Sequence, residues 1–344
     1  MEEMMGSINN VIFESAALQT KTPTAPIMIT GRPGEGKSDA CYDILHAQGV
    51  PPNRIKRVHL GNYDRVELGG VPEIATHDAT GERITVFRPT DVFADFVEGS
   101  GIGGIILEEA ATQDKDMQQF VAQLTLDRET CNFKLDPQVR ILLTGNRAED
   151  RAGAKPMLGH LNDRLYFQDV ETSLNDWCEW AMQNGVPADG IAFLRLRPNL
   201  LNDYDPSRRS NPTQRSWTKL FTEAPDDIPN ENYLSIATGK VGEGAAAEWV
   251  AARDMMKKMP SIDVIRLKPD VTEVPKEPAV RYAVATSLSM TATPDSFPRD
   301  MVYVERMPKE FMMVYLTDAM RLHPEILETT EFQQWSVKNQ NIFL

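Results

Sequence analysis

The sequence predicts an α/β domain with a largely parallel sheet sandwiched by helices, followed by an all-helical domain and a helical C-terminal extension. Three observations carry this reading. Between Ile27 and Val170 short aliphatic runs alternate with longer amphipathic stretches, the rhythm of strands joined by crossover helices. A glycine-rich loop separates the first aliphatic run from a helical stretch, and beyond residue 170 the strand-like runs give way to helical spacing. The boundaries expected are 1–170 for the α/β domain, 171–259 for the helical lid and 260–344 for the extension.

The buried strands expected in the first part are Ile27-Met28-Ile29, Arg57-Val58-His59-Leu60, Ile105-Ile106-Leu107 and Ile141-Leu142-Leu143. Ser38 to Ala47 follows the glycine-rich loop as a helix stopped near Gly49. Glu67 to Phe87, with Gly69-Gly70 and the turn-like Asp78-Ala79-Thr80-Gly81, reads as an inserted hairpin or loop. Asp114 to Asp127 has helical spacing at Met117, Phe120 and Leu124, and Cys131 to Val139, interrupted by Pro137, forms a second small hairpin. The later helices expected are Leu174 to Asn184, Gly190 to Leu194, Thr213 to Thr222, Ala245 to Lys258, Ala279 to Ser289, Lys309 to Leu322 and Thr330 to Val337. Pro260 to Pro278 reads as a connector.

At 344 residues, 41% hydrophobic and 25% charged, the composition is globular and large enough for more than one domain. Lys and Arg total 36 against 50 Asp and Glu, a net charge of −14 that disfavours a dedicated duplex-DNA or anionic-membrane binder. The three cysteines, Cys41, Cys131 and Cys178, are widely spaced, so neither a disulfide framework nor a zinc module is expected and a reducing compartment fits. The acidic start and the lack of a long apolar run lead to the expectation of a cytoplasmic protein with no membrane span.

Gly31-Arg32-Pro33-Gly34-Glu35-Gly36-Lys37-Ser38, followed by Asp39, fits G-x-x-x-x-G-K-[ST] and stands between a strand and a helix. Its glycines allow backbone N–H groups to line a nest for a polyphosphate at the positive end of the helix. Lys37 then reaches the β- and γ-phosphates, and the Ser38 hydroxyl is a ligand for Mg²⁺. ATP and Mg²⁺ are therefore the expected substrate and cofactor. Ile105-Ile106-Leu107 ends in Glu108-Glu109: Glu108 is placed to hold a water on Mg²⁺, and Glu109 to orient the attacking water. Ile141-Leu142-Leu143 leads to Asn146, whose amide can bond both the γ-phosphate and the lytic water.

These segments resemble the MoxR-like branch of the AAA+ ATPases, in the clade with an insertion in helix 2, and the resemblance runs over nearly the whole chain. Gly145-Asn146-Arg147-Ala148-Glu149-Asp150-Arg151-Ala152-Gly153 is similar to the family's G-N-R-x-x-D-R-A-G after the sensor 1 strand. Asn162-Asp163-Arg164-Leu165 is similar to its N-R-F or D-R-F segment, whose arginine is a finger inserted into the neighbouring subunit's site. Asn211-Pro212-Thr213-Gln214-Arg215-Ser216-Trp217 is similar to the lid segment P-T-P-R-S-W, which makes Arg215 the sensor 2 arginine. Gly239 to Ala246 is similar to a turn of the lid in bacterial and phage members. Two departures stand out: Glu108 where the family usually has Asp, and Glu67 opening a D-L-x-G-x-P-like segment. The longer arm of Glu108 changes the geometry available to Mg²⁺ and points to slow hydrolysis.

The resemblance implies a hexameric homo-oligomeric ring with both hairpins facing a pore. It also implies chaperone-like remodelling of a protein client, a separate chain carrying a von Willebrand factor A domain. A nucleic-acid motor is the alternative, disfavoured because Glu67 to Glu82 contains no Lys or Arg; a nucleotide-gated scaffold is a third. Arg147 and Arg151 are further finger candidates. Trp177, Trp180 and Trp217 are expected in the core of the lid. The histidines at 46, 59, 77, 160 and 323 lack metal-ligand spacing and are expected to be structural or solvated.

Overall fold

The computed structural model of the chain describes residues 7–130, 133–150, 153, 155–171, 173–225 and 227–339. They form two compact units, one ending at Ser173 and the other beginning at Leu174.

The first unit opens with helix α1 (Ile8–Lys21), followed by strand β1 (Ile27–Thr30), α2 (Lys37–Ala47) and β2 (Ile55–His59). A short α3 (Arg65–Gly69) leads into the strands β3 (Val71–Thr76) and β4 (Arg83–Arg88), and then come β5 (Gly103–Glu108) and α4 (Lys115–Leu126). The unit closes with β6 (Glu129–Thr130), β7 (Phe133–Lys134), β8 (Val139–Gly145), α5 (Gly159–Asn162) and β9 (Tyr166–Asp169). The main sheet has the order β2-β5-β8-β1-β9, and every pair in it is parallel.

Strand periodicity sorts the side chains onto two faces. Ile27, Ile29, Ile106 and Leu142 join Ile44 and Leu45 of α2 and Val11 of α1 in one apolar layer. Met28, Ile105, Leu107, Ile141 and Leu143 join Phe120, Val121 and Leu124 of α4 and Leu161 of α5 in the other. The chain therefore leaves β1 toward β2 over one face and leaves β8 toward β9 over the opposite face. The crevice between β1 and β8 is thus the place where connections diverge, the usual location of a ligand site in an open parallel sheet.

The insertion is more ordered than its irregular sequence indicates. Asp64 caps α3 through a reciprocal pair of bonds with Glu67, and β3 and β4 form an antiparallel hairpin from Val71 opposite Arg88 to Thr76 opposite Arg83. Val71, Ile74 and Phe87 on it are exposed. The second strand adds Arg83 and Arg88 to the acidic first strand, and Arg88 pairs with Glu73 at 2.7 Å. The second hairpin pairs Glu129 with Lys134 and Thr130 with Phe133, so it starts before the expected range; Cys131 lies outside the described residues.

Two elements of this unit carry no clear sequence signal: α1, and β9, an edge strand whose Tyr166 and Phe167 are exposed. β9 carries no aliphatic run of the kind that marks strands buried on both faces, and β2, the other edge strand, buries only Val58 where its run led to the expectation of a buried strand.

The second unit is helical, as expected. It comprises α6 (Leu174–Gln183), α7 (Ala188–Leu196), α8 (Gln214–Glu223), α9 (Asn230–Val241), α10 (Glu243–Met256), α11 (Ile262–Leu267), α12 (Pro278–Met290), α13 (Phe297–Val304), α14 (Lys309–Leu322) and α15 (Thr330–Lys338). The turn expected around Gly239 to Ala246 narrows to Gly242, whose φ of 87° ends α9 and admits α10 at once. Trp177, Trp217, Phe193, Phe221 and Trp249 fill one core, but Trp180 is 38% exposed and does not belong to it. It lies three residues after Trp177 on an amphipathic helix, far enough round to leave the buried stripe. The connector contains α11, whose Ile265 joins Phe297, Phe311 and Tyr315 in a second core. No helix among the described residues is long and apolar enough to cross a membrane.

Candidate functional site

The glycine-rich loop follows β1 and closes onto α2 as its sequence requires. Gly34 and Gly36 have φ of 84° and 76°, a region costly for residues with a Cβ. A Cβ on Gly31 would stand 2.7 Å from Glu35 Oε2 and 2.9 Å from the Val170 carbonyl oxygen. The loop is thus drawn tight around its own acid: the Arg32 N–H donates to Glu35 Oε2 at 2.6 Å, and Glu35 is buried. That burial lifts the carboxyl above its ordinary range, partly offset by the Arg32 bond and by the charges of Arg147, Lys37 and Arg32.

Lys37, the first residue of α2, folds back over the loop. Its ammonium donates to the Gly31 carbonyl at 2.9 Å, to the Arg32 carbonyl at 2.7 Å and to Asn146 Oδ1 at 3.0 Å. The last bond crosses the crevice between β1 and β8, since Asn146 immediately follows β8. Pro33 and Ser38 are half-buried in this loop and Asp39 is exposed on the first turn of α2.

Glu108 ends β5 on the face it shares with Ile106, toward α2. It is 3% exposed. The thiol of buried Cys41 on α2 is pushed up by burial first and by the Glu108 carboxylate next. That carboxylate is bound by β2: Arg57 Nη2 donates to Oε1 at 2.5 Å and His59 Nδ1 lies 2.6 Å from Oε2. Arg57 and His59 were not singled out by the sequence as site residues; His59, with its side chain 54% exposed, is solvated and also makes a structural contact with Glu108. The available signal was Arg57 and His59 two apart on one strand, and so on one face, on either side of the buried Val58.

Glu109 is exposed and adopts φ 61°, ψ 34°, a left-handed conformation rare outside glycine and asparagine. Three groups hold it there: its carbonyl accepts from the Thr112 hydroxyl at 2.8 Å and from Gln113 Nε2 at 3.0 Å, and its N–H lies 3.4 Å from Thr144 Oγ1 on β8. Thr144 is a second residue that sequence reasoning passed over.

The finger candidates Arg147 and Arg164 lie at different places in the first unit. Arg147 bonds Asp150 at 3.0 Å, and Asp150 lies 3.8 Å from Arg32 of the loop, so Arg147 belongs to its own chain's loop. Arg164 precedes β9 and therefore sits at the opposite end of the sheet from the loop that follows β1, where it donates to the Ala122 carbonyl of α4 at 3.2 Å. Arg151 lies outside the described residues. Arg215 is exposed on the first turn of α8 in the second unit, behind a capping box formed by Thr213 and Ser216.

The residues at the end of the sheet fit a nucleotide with its metal. The loop has the Glu35 carboxylate bonded to its Arg32 N–H and the Lys37 ammonium bonded to its Gly31 and Arg32 carbonyls. Ser38 Oγ and the Glu108 carboxylate are oxygen donors of the kind Mg²⁺ takes from protein.

No protein-family model matches the chain, and no curated protein does. Among solved structures it is similar to NtrX from Brucella abortus in complex with ATP, at 17% identity and a TM-score of 0.36, covering 74% of this chain and 65% of that one. The chain thus spans about two thirds of that protein's length. It is similar to a DNA polymerase III gamma subunit-related protein from Thermotoga maritima, at 10% identity and a TM-score of 0.38, covering 90% of this chain and 99% of that one. A mutant of RuvB from Thermotoga maritima overlaps 89% of each chain at 12% identity and a TM-score of 0.36.

Proposed function

We propose that this chain is a Mg²⁺-dependent ATPase of the MoxR-like AAA+ type that works as a homo-oligomeric ring, most simply a hexamer, and uses hydrolysis to remodel a separate protein client. The observation that carries the ATPase reading is the Lys37–Asn146 bond, which brings the loop lysine and the sensor amide together across the crevice between β1 and β8. Nucleotide phosphates in the loop would take over the lysine's donors from the carbonyls of Gly31 and Arg32. Mg²⁺, held by Ser38 with Glu108 on one of its waters, would supply charge neutralisation on the β- and γ-phosphates. Glu109 would accept the proton of the attacking water while Asn146 orients that water and the γ-phosphate.

The position of Arg164 supports the ring reading. At the far end of the sheet from its own loop, it is unavailable in cis, while the growing charge on the transferring phosphoryl group calls for a guanidinium. It stands beside the exposed Tyr166 and Phe167 of the edge strand, a surface suited to a neighbouring copy. Arg215, exposed at the start of α8, is the residue we assign to the sensor 2 role. The exposed β3–β4 hairpin, with Val71, Ile74 and Phe87, would offer apolar contacts to the client.

The experiment is ATP binding and phosphate release by the full chain with Mg²⁺, compared with Lys37→Ala. Binding and turnover by the wild type, both lost in Lys37→Ala, support the reading. A wild-type chain that binds no ATP, or a Lys37→Ala chain that binds it equally well, overturns it.

A further inference from the structure

Glu108 makes its bonds sideways, to the edge strand. Arg57 donates to Oε1 through Nη2 at 2.5 Å and through Nε at 3.1 Å, and His59 Nδ1 is 2.6 Å from Oε2. The geometry is built into the sheet: Arg57 and His59 stand two apart on β2, and His59 is the Cα partner of Glu108 in the β2–β5 register. The Arg57 guanidinium also lies over the Tyr42 ring of α2, 5.8 Å from its centroid. Asp39 is near enough to act on Arg57 electrostatically. The carboxylate of an aspartate would end about 1.5 Å nearer the backbone, one C–C bond short of these donors. The extra methylene that departs from the family pattern is therefore what lets the acid reach β2.

Resting on the ATPase reading, we infer that Arg57 and His59 form a latch that competes with Mg²⁺ for the Glu108 carboxylate. Without metal, the two side chains satisfy a carboxylate that would otherwise be buried and unpaired, a costly state. If Ser38 held Mg²⁺, the Glu108 carboxylate would also be called on to accept from the ion's waters, which would supply charge neutralisation at the site, and the bonds to β2 would weaken in proportion. The latch thus sets the Mg²⁺ concentration at which the nucleotide complex forms. Arg57 and His59 are positioning residues: they act through Glu108.

The test measures binding of a fluorescent ATP analogue to the full chain across a Mg²⁺ titration. The variants are Arg57→Met, His59→Ala, Glu108→Asp and the double Arg57→Met/Glu108→Asp. Arg57→Met and Glu108→Asp should each lower the half-saturating Mg²⁺ by about fivefold, the scale of one partly exposed charge pair. The double variant should shift no further than Glu108→Asp alone, because the shorter acid already gives up both bonds to β2, the one to Arg57 included. His59→Ala should shift in the same direction by less; its side chain is 54% exposed, so it tests the latch without disturbing the fold. An unchanged or raised Mg²⁺ requirement in folded Arg57→Met and His59→Ala, or additive shifts in the double variant, overturns the latch alone. A wild-type chain that binds no nucleotide at any Mg²⁺ concentration overturns the ATPase reading and the latch with it.

Discussion

Lys37 Nζ and Asn146 Oδ1 are 3.0 Å apart, joined across the crevice where the chain leaves β1 and β8 over opposite faces of the sheet. The bond holds the lysine at the loop before any phosphate arrives. Asn146→Ala is expected to keep ATP binding, because the loop N–H groups and the lysine remain, and to lower turnover by about 10²-fold, the usual cost of one transition-state hydrogen-bond donor. Separate measurements of ATP affinity and of phosphate release check this. Equal losses in both would make Asn146 a binding residue only.

The left-handed backbone of Glu109 predicts a stability pattern as well as a kinetic one. Glu109→Gln should bind ATP and fail to hydrolyse it. Glu109→Ala and Glu109→Gly both delete the carboxylate, but only glycine adopts φ 61° without a Cβ clash, so Glu109→Gly should be the more stable of the two by about 1 kcal/mol. Thermal melts of the pair decide it; the reverse order would mean the backbone at 109 is not strained.

Arg164 should affect turnover far more than ATP affinity, with a loss on the order of 10³–10⁵-fold for a finger. Because it stands at the far end of the sheet from its own loop, mixing Arg164→Ala chains with Lys37→Ala chains should recover activity wherever an intact loop meets an intact arginine. Neither variant should work alone. Dead mixtures from variants that assemble normally would remove Arg164 and turn attention to Arg151.

Glu35 predicts a pH dependence. Burial raises its carboxyl above the ordinary 4.5, so the folded chain binds this proton more tightly than the unfolded chain. The associated stability is complete below about 4.5 and is lost as pH rises through the folded value. Glu35→Gln keeps an acceptor for the Arg32 N–H and has no charge to bury. Its melting temperature should exceed that of the wild type at pH 7, and the advantage should shrink as pH falls through the raised folded value toward about 4.5 and not change further below it. Parallel melts across that range check the sign.

The sequence by itself determined the pieces governed by short-range chemistry. Gly34, Gly36 and Lys37 specify the loop because its backbone conformation and its helix start are local, and the aliphatic runs at Ile27, Ile105 and Ile141 specify strands buried on both faces. The helices of the second unit follow from their apolar spacing in the same way. Tertiary structure decided whatever depends on which strands lie side by side. Strand β9 is invisible as a run because half of an edge strand faces solvent, and Trp180 departs from the core because its place on α6 turns it outward. Above all, Glu108 reads in sequence as a metal acid with an extra methylene. Only the register of β2 against β5, which sets His59 beside it and Arg57 on the same face, shows what that methylene reaches. Residues 57 and 108 are joined by strand pairing, and that pairing is fixed by the packing of the whole sheet.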